Sequence, residues 1–541
     1  MKQMKLRLMA LLLAAAMLLS GCGMVDFSGY FHGLQSVLSG SSYVPYSGME
    51  YQRPDPDAIR AYLDTAMCTA EAKENTVDAV LDAIYAFYDE YDWFYTCYSL
   101  ADIRYCSDLT DIYWEKEYNY CVEQSAQVDA MLEELYYALA KSPFRAELES
   151  AEYFGPGYFD SYDGENLWDA EFTALMEQEN ILKNQYYALS SQALEYELGS
   201  EVYYDAIADD MAQILVDMIR LRHQIAAYWG YPDYVSFAND FYYYRDYTPA
   251  EMAAYLEEIQ EELVAVYCAV SDSGMDAAYE FCTEAQTFRY VRTAAENMGG
   301  TIWEAFQLME DAGLYNITYG ENKYNSSFEV YLTSYWEPFV FMNPSLIRYD
   351  CLVLAHEFGH FANDYACYGT YAGVDVTEVY SQGMEYLSLC YGENTDDLVQ
   401  VKLADSLCTY VEQAAFAAFE QQMYSLSHEE LTVEGLYSLY DRIARDYGFE
   451  SVGYDPREFV TITHLYTNPL YVFSYIVSND AAMQLYQMEQ EEAGSGLALM
   501  QEHLDAQVYY FLEFIDYVGL ENPLSPSRIQ KARETFETHL G

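Results

Sequence analysis

Two histidines and a glutamate stand together within residues 350–364, in the run Asp350-Cys-Leu-Val-Leu-Ala-His356-Glu357-Phe-Gly-His360-Phe-Ala-Asn-Asp364. At 3.6 residues per helical turn, His356 and His360 lie one above the other, so that two imidazole nitrogens can meet one tetrahedral metal ion. Glu357, beside them, reaches a water on that ion. This is the pattern of metal-assisted hydrolysis, with Glu357 as proton acceptor. The competing reading is a pair of core histidines whose hydrogen bonds are met within the protein. The apolar run Leu352-Val353-Leu354-Ala355 makes the helix a buried one, and buried imidazole and carboxyl groups need partners, which a metal supplies directly.

A hydrolytic zinc site takes three protein ligands and keeps a fourth position for water. The third ligand is expected downstream, where residues 373–387 read as a second helix with Asp375 or Thr377 near its start. Glu378, Ser381, Gln382 and Glu385 fall on one face of that helix. Two glutamates a heptad apart suit one metal ligand and one carboxylate that orients a ligating histidine. Spacing alone leaves both roles open to either glutamate, and a solvated acidic face is the plainer alternative.

The elements that must hold these groups are mostly helical. From Asp57 to about Met309 apolar residues recur at helical spacing, as in Ile207, Met211, Ile214, Met218, Leu221 and Ile225, or Met252, Leu256, Ile259, Leu263 and Val266 opposed by Glu257, Glu258, Glu261 and Glu262. The 60 tyrosines and 26 phenylalanines fall on the same faces and read as gap fillers between helices. Near Tyr324 the texture changes to alternating β-branched and aromatic residues punctuated by Pro338 and Pro344, which predicts two short strands. Helical periodicity resumes at about Asp350, with Asp350 as a plausible cap and Gly369 near the end of the first helix.

The ends and the charge narrow the setting. Lys2, Lys5 and Arg7 precede an apolar run from Leu8 to Leu19, then Ser20, Gly21 and Cys22. The run is short for a bilayer span and ends in small residues, the form of an export signal. Leu19-Ser20-Gly21-Cys22 resembles the bacterial lipoprotein box, which implies lipidation at Cys22 and an extracytoplasmic, membrane-anchored protein. The expected division is a signal peptide at 1–21, a lipidated cysteine and flexible tether at 22–56, an N-terminal helical lobe at 57–323 and a zinc-binding lobe at 324–541. With 88 acidic residues against 25 basic ones, a net charge of −63, the chain lacks the cationic clusters that nucleic acid requires. The ten later cysteines form no close C-x-x-C pair; Cys97, Cys106 and Cys121 are near enough in sequence to invite a disulfide, and the spacing specifies none.

These motifs resemble the thimet oligopeptidase and oligoendopeptidase F group of zinc metallopeptidases. His-Glu-Phe-Gly-His at 356–360 is similar to its first motif. Glu378-Val-Tyr-Ser-Gln-Gly-Met-Glu385 is similar to its second, where the first glutamate binds zinc; the resemblance therefore makes Glu378 the third ligand and leaves Glu385 behind His356. His464-Leu-Tyr-Thr-Asn-Pro-Leu-Tyr471-Val-Phe-Ser-Tyr475 resembles a late motif, implying that His464, Tyr471 and Tyr475 face substrate and steady the tetrahedral intermediate. Tyr228-Trp-Gly-Tyr-Pro-Asp-Tyr-Val-Ser-Phe and Tyr247-Thr-Pro-Ala-Glu extend the likeness over residues 200–480, with the earlier helices alike only in character. The chain carries Asn363 where the group often has another histidine, and a shorter stretch between His360 and Glu378.

The resemblance implies a mainly α fold of two helical lobes around a deep substrate channel, with a small β element just before the zinc-binding helix. It also implies one Zn2+ per chain and endopeptidase action on short peptides. The rival readings are a peptide-binding lipoprotein that keeps the fold without the chemistry, and a zinc aminopeptidase, which the Val-Tyr-Ser-Gln after Glu378 disfavours.

Overall fold

The apolar stripes become helix faces turned inward. Ile207, Met211, Ile214, Met218, Leu221 and Ile225 are all buried, as are Met252, Leu256, Ile259 and Leu263, while Glu257 and Glu261 on the opposite face are exposed. The computed structural model describes residues 43–150, 153–163, 170–193, 200–270, 276–369, 372–451 and 453–540. The fold is mainly α, 72% helix and 3% strand. The residues expected to form a signal peptide, 1–21, and Cys22 lie outside the described residues. Among the described residues no helix is long and apolar enough to cross a membrane.

The principal helices before the sheet are α1 (Pro56–Glu71), α2 (Val77–Ser107), α3 (Ile112–Ala140), α4 (Glu201–Tyr228), α5 (Pro249–Val270), α6 (Glu284–Met298) and α7 (Gly300–Ala312). Side-chain caps start several of them: Thr76 accepts from the Ala79 amide, Asp111 from Tyr113 and Trp114, and Thr283 forms a reciprocal box with Gln286. Residues of α1–α3, with Phe144, Leu148, Phe159 and Tyr162, make a smaller core of their own. The larger core runs without a break across residue 323, joining Ile302 and Phe306 to Phe358 and Val376.

Two strands were expected and, among the described residues, three form: β1 (Tyr315–Asn316), β2 (Ser327–Leu332) and β3 (Glu337–Met342), in the order β1-β3-β2. β1 is parallel to β3, and β2 pairs with β3 as an antiparallel hairpin from Ser327↔Met342 to Leu332↔Glu337. All six residues of β3 are buried, whereas β2 is half-buried at one end of the order. β1 escapes periodicity because two residues hold no alternation to read.

Thirteen of the residues expected to form a tether, 43–55, lie on the body. The Val44 amide donates to Glu337 at 2.7 Å, Tyr46 packs on Phe339 with ring centroids 4.4 Å apart, and Arg104 donates to the Met49 carbonyl at 2.9 Å. Tyr51 and Arg53 both donate to Glu117. Each contact needs a partner distant in sequence, which a Gly/Pro/Ser-rich composition does not disclose.

Four helices after the sheet build the site: α8 (Asp350–Cys367), α9 (Val374–Tyr391), α10 (Asp396–Met423) and α11 (Val472–Glu491). Asp350 does not cap α8. It is the first residue of the helix, and its carboxylate accepts from the Ser345 and Ile347 amides, closing the turn that precedes it. α9 likewise starts on Gly373 without a side-chain cap, and Asp375 is drawn inward.

Candidate active site

Gly359 decides how closely α8 and α9 approach. A Cβ built there would lie 2.6 Å from the Ser381 Cα and 2.6 Å from the Tyr380 carbonyl oxygen, closer than two packed atoms allow. With hydrogen in that place, the face of α8 bearing His356 and His360 meets the face of α9 bearing Glu378.

The result is one group of donors. Ligand atoms of His356, His360 and Glu378 all lie within 4.8 Å of one another. Glu378 Oε2 is 3.4 Å from His356 Nε2 and 3.8 Å from His360 Nε2. Four ligands about 2.0–2.2 Å from a tetrahedral zinc ion stand about 3.3–3.6 Å apart, so the spacing fits such an ion with slight closure. The histidine rings are 5.0 Å apart and nearly perpendicular. Both are half-buried, while Glu378 is buried, so the group has a covered side and an open one.

Glu385 takes the orienting role. Its Oε1 is 2.8 Å from His356 Nδ1, which turns Nε2 toward Glu378. Its other oxygen receives the ammonium of buried Lys402, on α10, at 2.7 Å. Burial alone would raise the Glu385 carboxyl; Lys402 and His356 outweigh it and hold the carboxyl below its ordinary value. Glu378 is fixed from two sides: Ser381 donates to Oε2 at 2.9 Å and Tyr471 to Oε1 at 3.0 Å. The two glutamates that spacing left interchangeable are thus distinguished by what touches them.

Glu357 is buried beside His356 and within reach of Ser327 on β2. Burial pushes its carboxyl up to about 6, moderated by His356 and by a hydrogen bond from Ser327. Burial also drives His360 down to about 4, whereas His356 is raised to about 9, the pull of Glu385 and Glu378 exceeding the burial cost. Glu357, Glu378 and Glu385 crowd two imidazoles and one lysine. That balance favours a further cation at the Nε2 atoms, and the donor set is the N/O set of zinc.

The late motif is brought to the same place. The ring of His464 is 5.2 Å from that of Tyr471 and 5.9 Å from that of Tyr475, and burial lowers His464 to about 4, so it is neutral near pH 7. Two buried arginines hold this segment. Arg222, on α4, donates to the carbonyls of Leu465 and Tyr466 at 2.7 Å each and to Glu179 at 2.9 Å. Arg245 donates to the Leu470 carbonyl at 2.9 Å, Ser474 at 3.0 Å and Asp375 at 3.4 Å. Leu470 sits at φ 68°, a left-handed conformation costly for leucine, with its amide on Glu420 at 2.8 Å. Over-determined in this way, the turn delivers Tyr471 to Glu378.

Sequence reasoning missed Ser327, Lys402, Arg222, Arg245 and Gly359. Only Gly359 carried a local signal, a glycine within a buried helix. It missed one further pair: Glu329 of β2 and Asp364 of α8 share a hydrogen bond, and burial raises both carboxyls, Asp364 to about 7. Asn363 donates to the Leu504 carbonyl at 2.8 Å, a packing tie across the back of α8.

Residues 46–165 match the family model of the peptidase M3 N-terminal domain. Over that N-terminal part the chain is similar to the M3 peptidases. That match falls in helices whose likeness was only one of character in the sequence, and it covers the smaller core with the ordered 46–55 segment. Beyond that match, the fold of several solved structures extends over nearly the whole chain. PZ peptidase A, solved with an inhibitor, has a TM-score of 0.77 at 17% identity, over 91% of this chain and 98% of its own. A Bacillus anthracis protein assigned as an oligoendopeptidase F gives 0.74 at 19%, over 92% and 98%. The oligoendopeptidase F of Enterococcus faecium gives 0.57 at 15%, over 90% and 96%. Comparison with curated proteins by sequence finds no match.

Proposed function

We propose that this chain is an M3-type, zinc-dependent endopeptidase that cleaves short peptides outside the cytoplasm, held at a membrane by a lipid on Cys22. The observation that carries the reading is the convergence of His356, His360 and Glu378, with Glu385 and Lys402 orienting His356 and with Glu357 beside them, hydrogen-bonded to Ser327. Zinc held by His356, His360 and Glu378 would supply Lewis acidity to the scissile carbonyl and to the attacking water.

The protein's own groups do the rest. Glu357 accepts the proton of the attacking water and returns a proton to the departing amine. His464, neutral, and the hydroxyls of Tyr471 and Tyr475 stand on the facing side as donors for the developing oxyanion. Tyr471 reaches that role from its bond to Glu378, so it serves the ligand and the substrate in turn. β2, at one end of the sheet, offers backbone groups to an extended peptide as an added strand.

An internally quenched peptide blocked at both termini tests the reading. Cleavage that a chelator abolishes and added zinc restores is the expected result. Cleavage only of substrates with a free terminus would make the protein an exopeptidase, and binding without cleavage would make it a peptide-binding protein of the same fold.

A further inference from the structure

Ten cysteines lie among the described residues, all as thiols. Those nearest in sequence are engaged elsewhere: Cys97 points its sulfur at the Gln52 carbonyl, 3.2 Å away, and Cys106 at Asp102, 3.3 Å away. A different pair meets in the interior. Cys282 and Cys351, 69 residues apart, have sulfurs 4.0 Å from one another, and both are buried.

The backbone keeps them there. Phe281 and Ile347 form an antiparallel bridge, the Cys282 amide donates to the Leu346 carbonyl at 3.0 Å, and the Arg348 amide donates to Glu280 at 2.8 Å. The chain on both sides of the thiols is therefore stitched before any covalent bond is made. A disulfide needs sulfurs about 2.05 Å apart, so closure asks for about 2 Å, shared between two side-chain rotations.

We propose that Cys282 and Cys351 form a disulfide when the chain folds in an oxidising compartment, tying the first turn of the metal-binding helix to the segment that leads into α6. One cysteine, as thiolate, attacks a sulfur of an external disulfide, forming a mixed disulfide and releasing one thiol. The other, as thiolate, then displaces the second thiol. Two protein thiols are oxidised, and the external disulfide takes up both electrons and both protons as two thiols.

The Arg348 guanidinium, 3.7 Å from the Cys351 sulfur, favours the thiolate while the site is still open to water. Once packed, burial pushes the Cys351 thiol up to about 12, so exchange belongs to folding rather than to the finished protein. The bond would enclose α6, α7 and the three strands of the described residues. It rests on the proposed export from the cytoplasm but not on the peptidase chemistry, since it requires neither metal nor substrate.

The test uses the full chain, reduced and unfolded, then refolded in a mixture of reduced and oxidised glutathione and alkylated under denaturing conditions. The expected result is a linked pair of peptides carrying Cys282 and Cys351 that reduction separates. The Tm should also fall by several degrees on reduction in the wild type and stay unchanged in Cys282→Ala/Cys351→Ala. Both cysteines recovered singly alkylated, or either joined to glutathione or to another cysteine, would overturn the proposal. Peptide mapping of the wild type decides the matter even where the double variant fails to fold.

Discussion

At the scale of single residues, the site depends on groups with no motif of their own. His356, Glu357 and His360 could be read directly because helical spacing alone places them. Lys402 could not: in sequence it is one cation on a mixed helix, and only the fold sets its ammonium against Glu385 inside the protein. Removing one partner of a buried pair leaves the other charge uncompensated, so Lys402→Met should make Glu385 hold a proton and release His356 from its orientation. Metal affinity should fall roughly 10–100-fold, measured by competition with a chromophoric chelator. An unchanged affinity would assign Lys402 to packing alone. Tyr471 is the converse case: its motif was legible, but its bond to Glu378 was not, because it spans 93 residues.

Elements show where local reading stops. The hairpin of β2 and β3 was legible from alternation and its two prolines, and the stripes of α4 and α5 marked their buried faces. The start of α8 was misassigned, because Asp350 looks like a cap until its carboxylate is seen closing the preceding turn. The contact between α8 and α9 is set by Gly359 against the backbone of residues 380 and 381. A methyl group there meets backbone, which cannot rotate aside. Gly359→Ala should therefore push α9 outward, costing about 1–3 kcal/mol of stability and, by displacing Glu378, about 100-fold in kcat/KM. Thermal unfolding and steady-state kinetics on one quenched peptide would measure both. A variant with wild-type activity would mean that α9 does not supply the ligand.

The whole molecule carries a net charge of −63, yet its interior holds acids that resist ionisation. In the smaller core, burial raises Asp129 to about 8 and Glu133 to about 8, against hydrogen bonds from Tyr91 and Tyr95 to the first and from Tyr162 to the second. Unfolded, both would lose their protons near pH 4. Between the two values the folded state binds more protons, so these groups stabilise fully at low pH and lose that contribution as pH rises toward about 8. The Tm should drop by several more degrees between about pH 5 and about pH 8 in the wild type than in Asp129→Asn/Glu133→Gln; parallel slopes would contradict the assignment. Composition showed the acidity, but which acids are buried follows only from the packing of α2 on α3. The extent of the N-terminal core and the order of residues 43–55 were hidden for the same reason.

The central claim is that three side chains hold a catalytic metal and a fourth moves the proton. Its most direct test is Glu357→Gln, assayed for bound zinc and for peptide cleavage in the same preparation. The account predicts one zinc per chain, as in the wild type, with kcat lowered roughly 100-fold or more. Cleavage at the wild-type rate with zinc retained would contradict it.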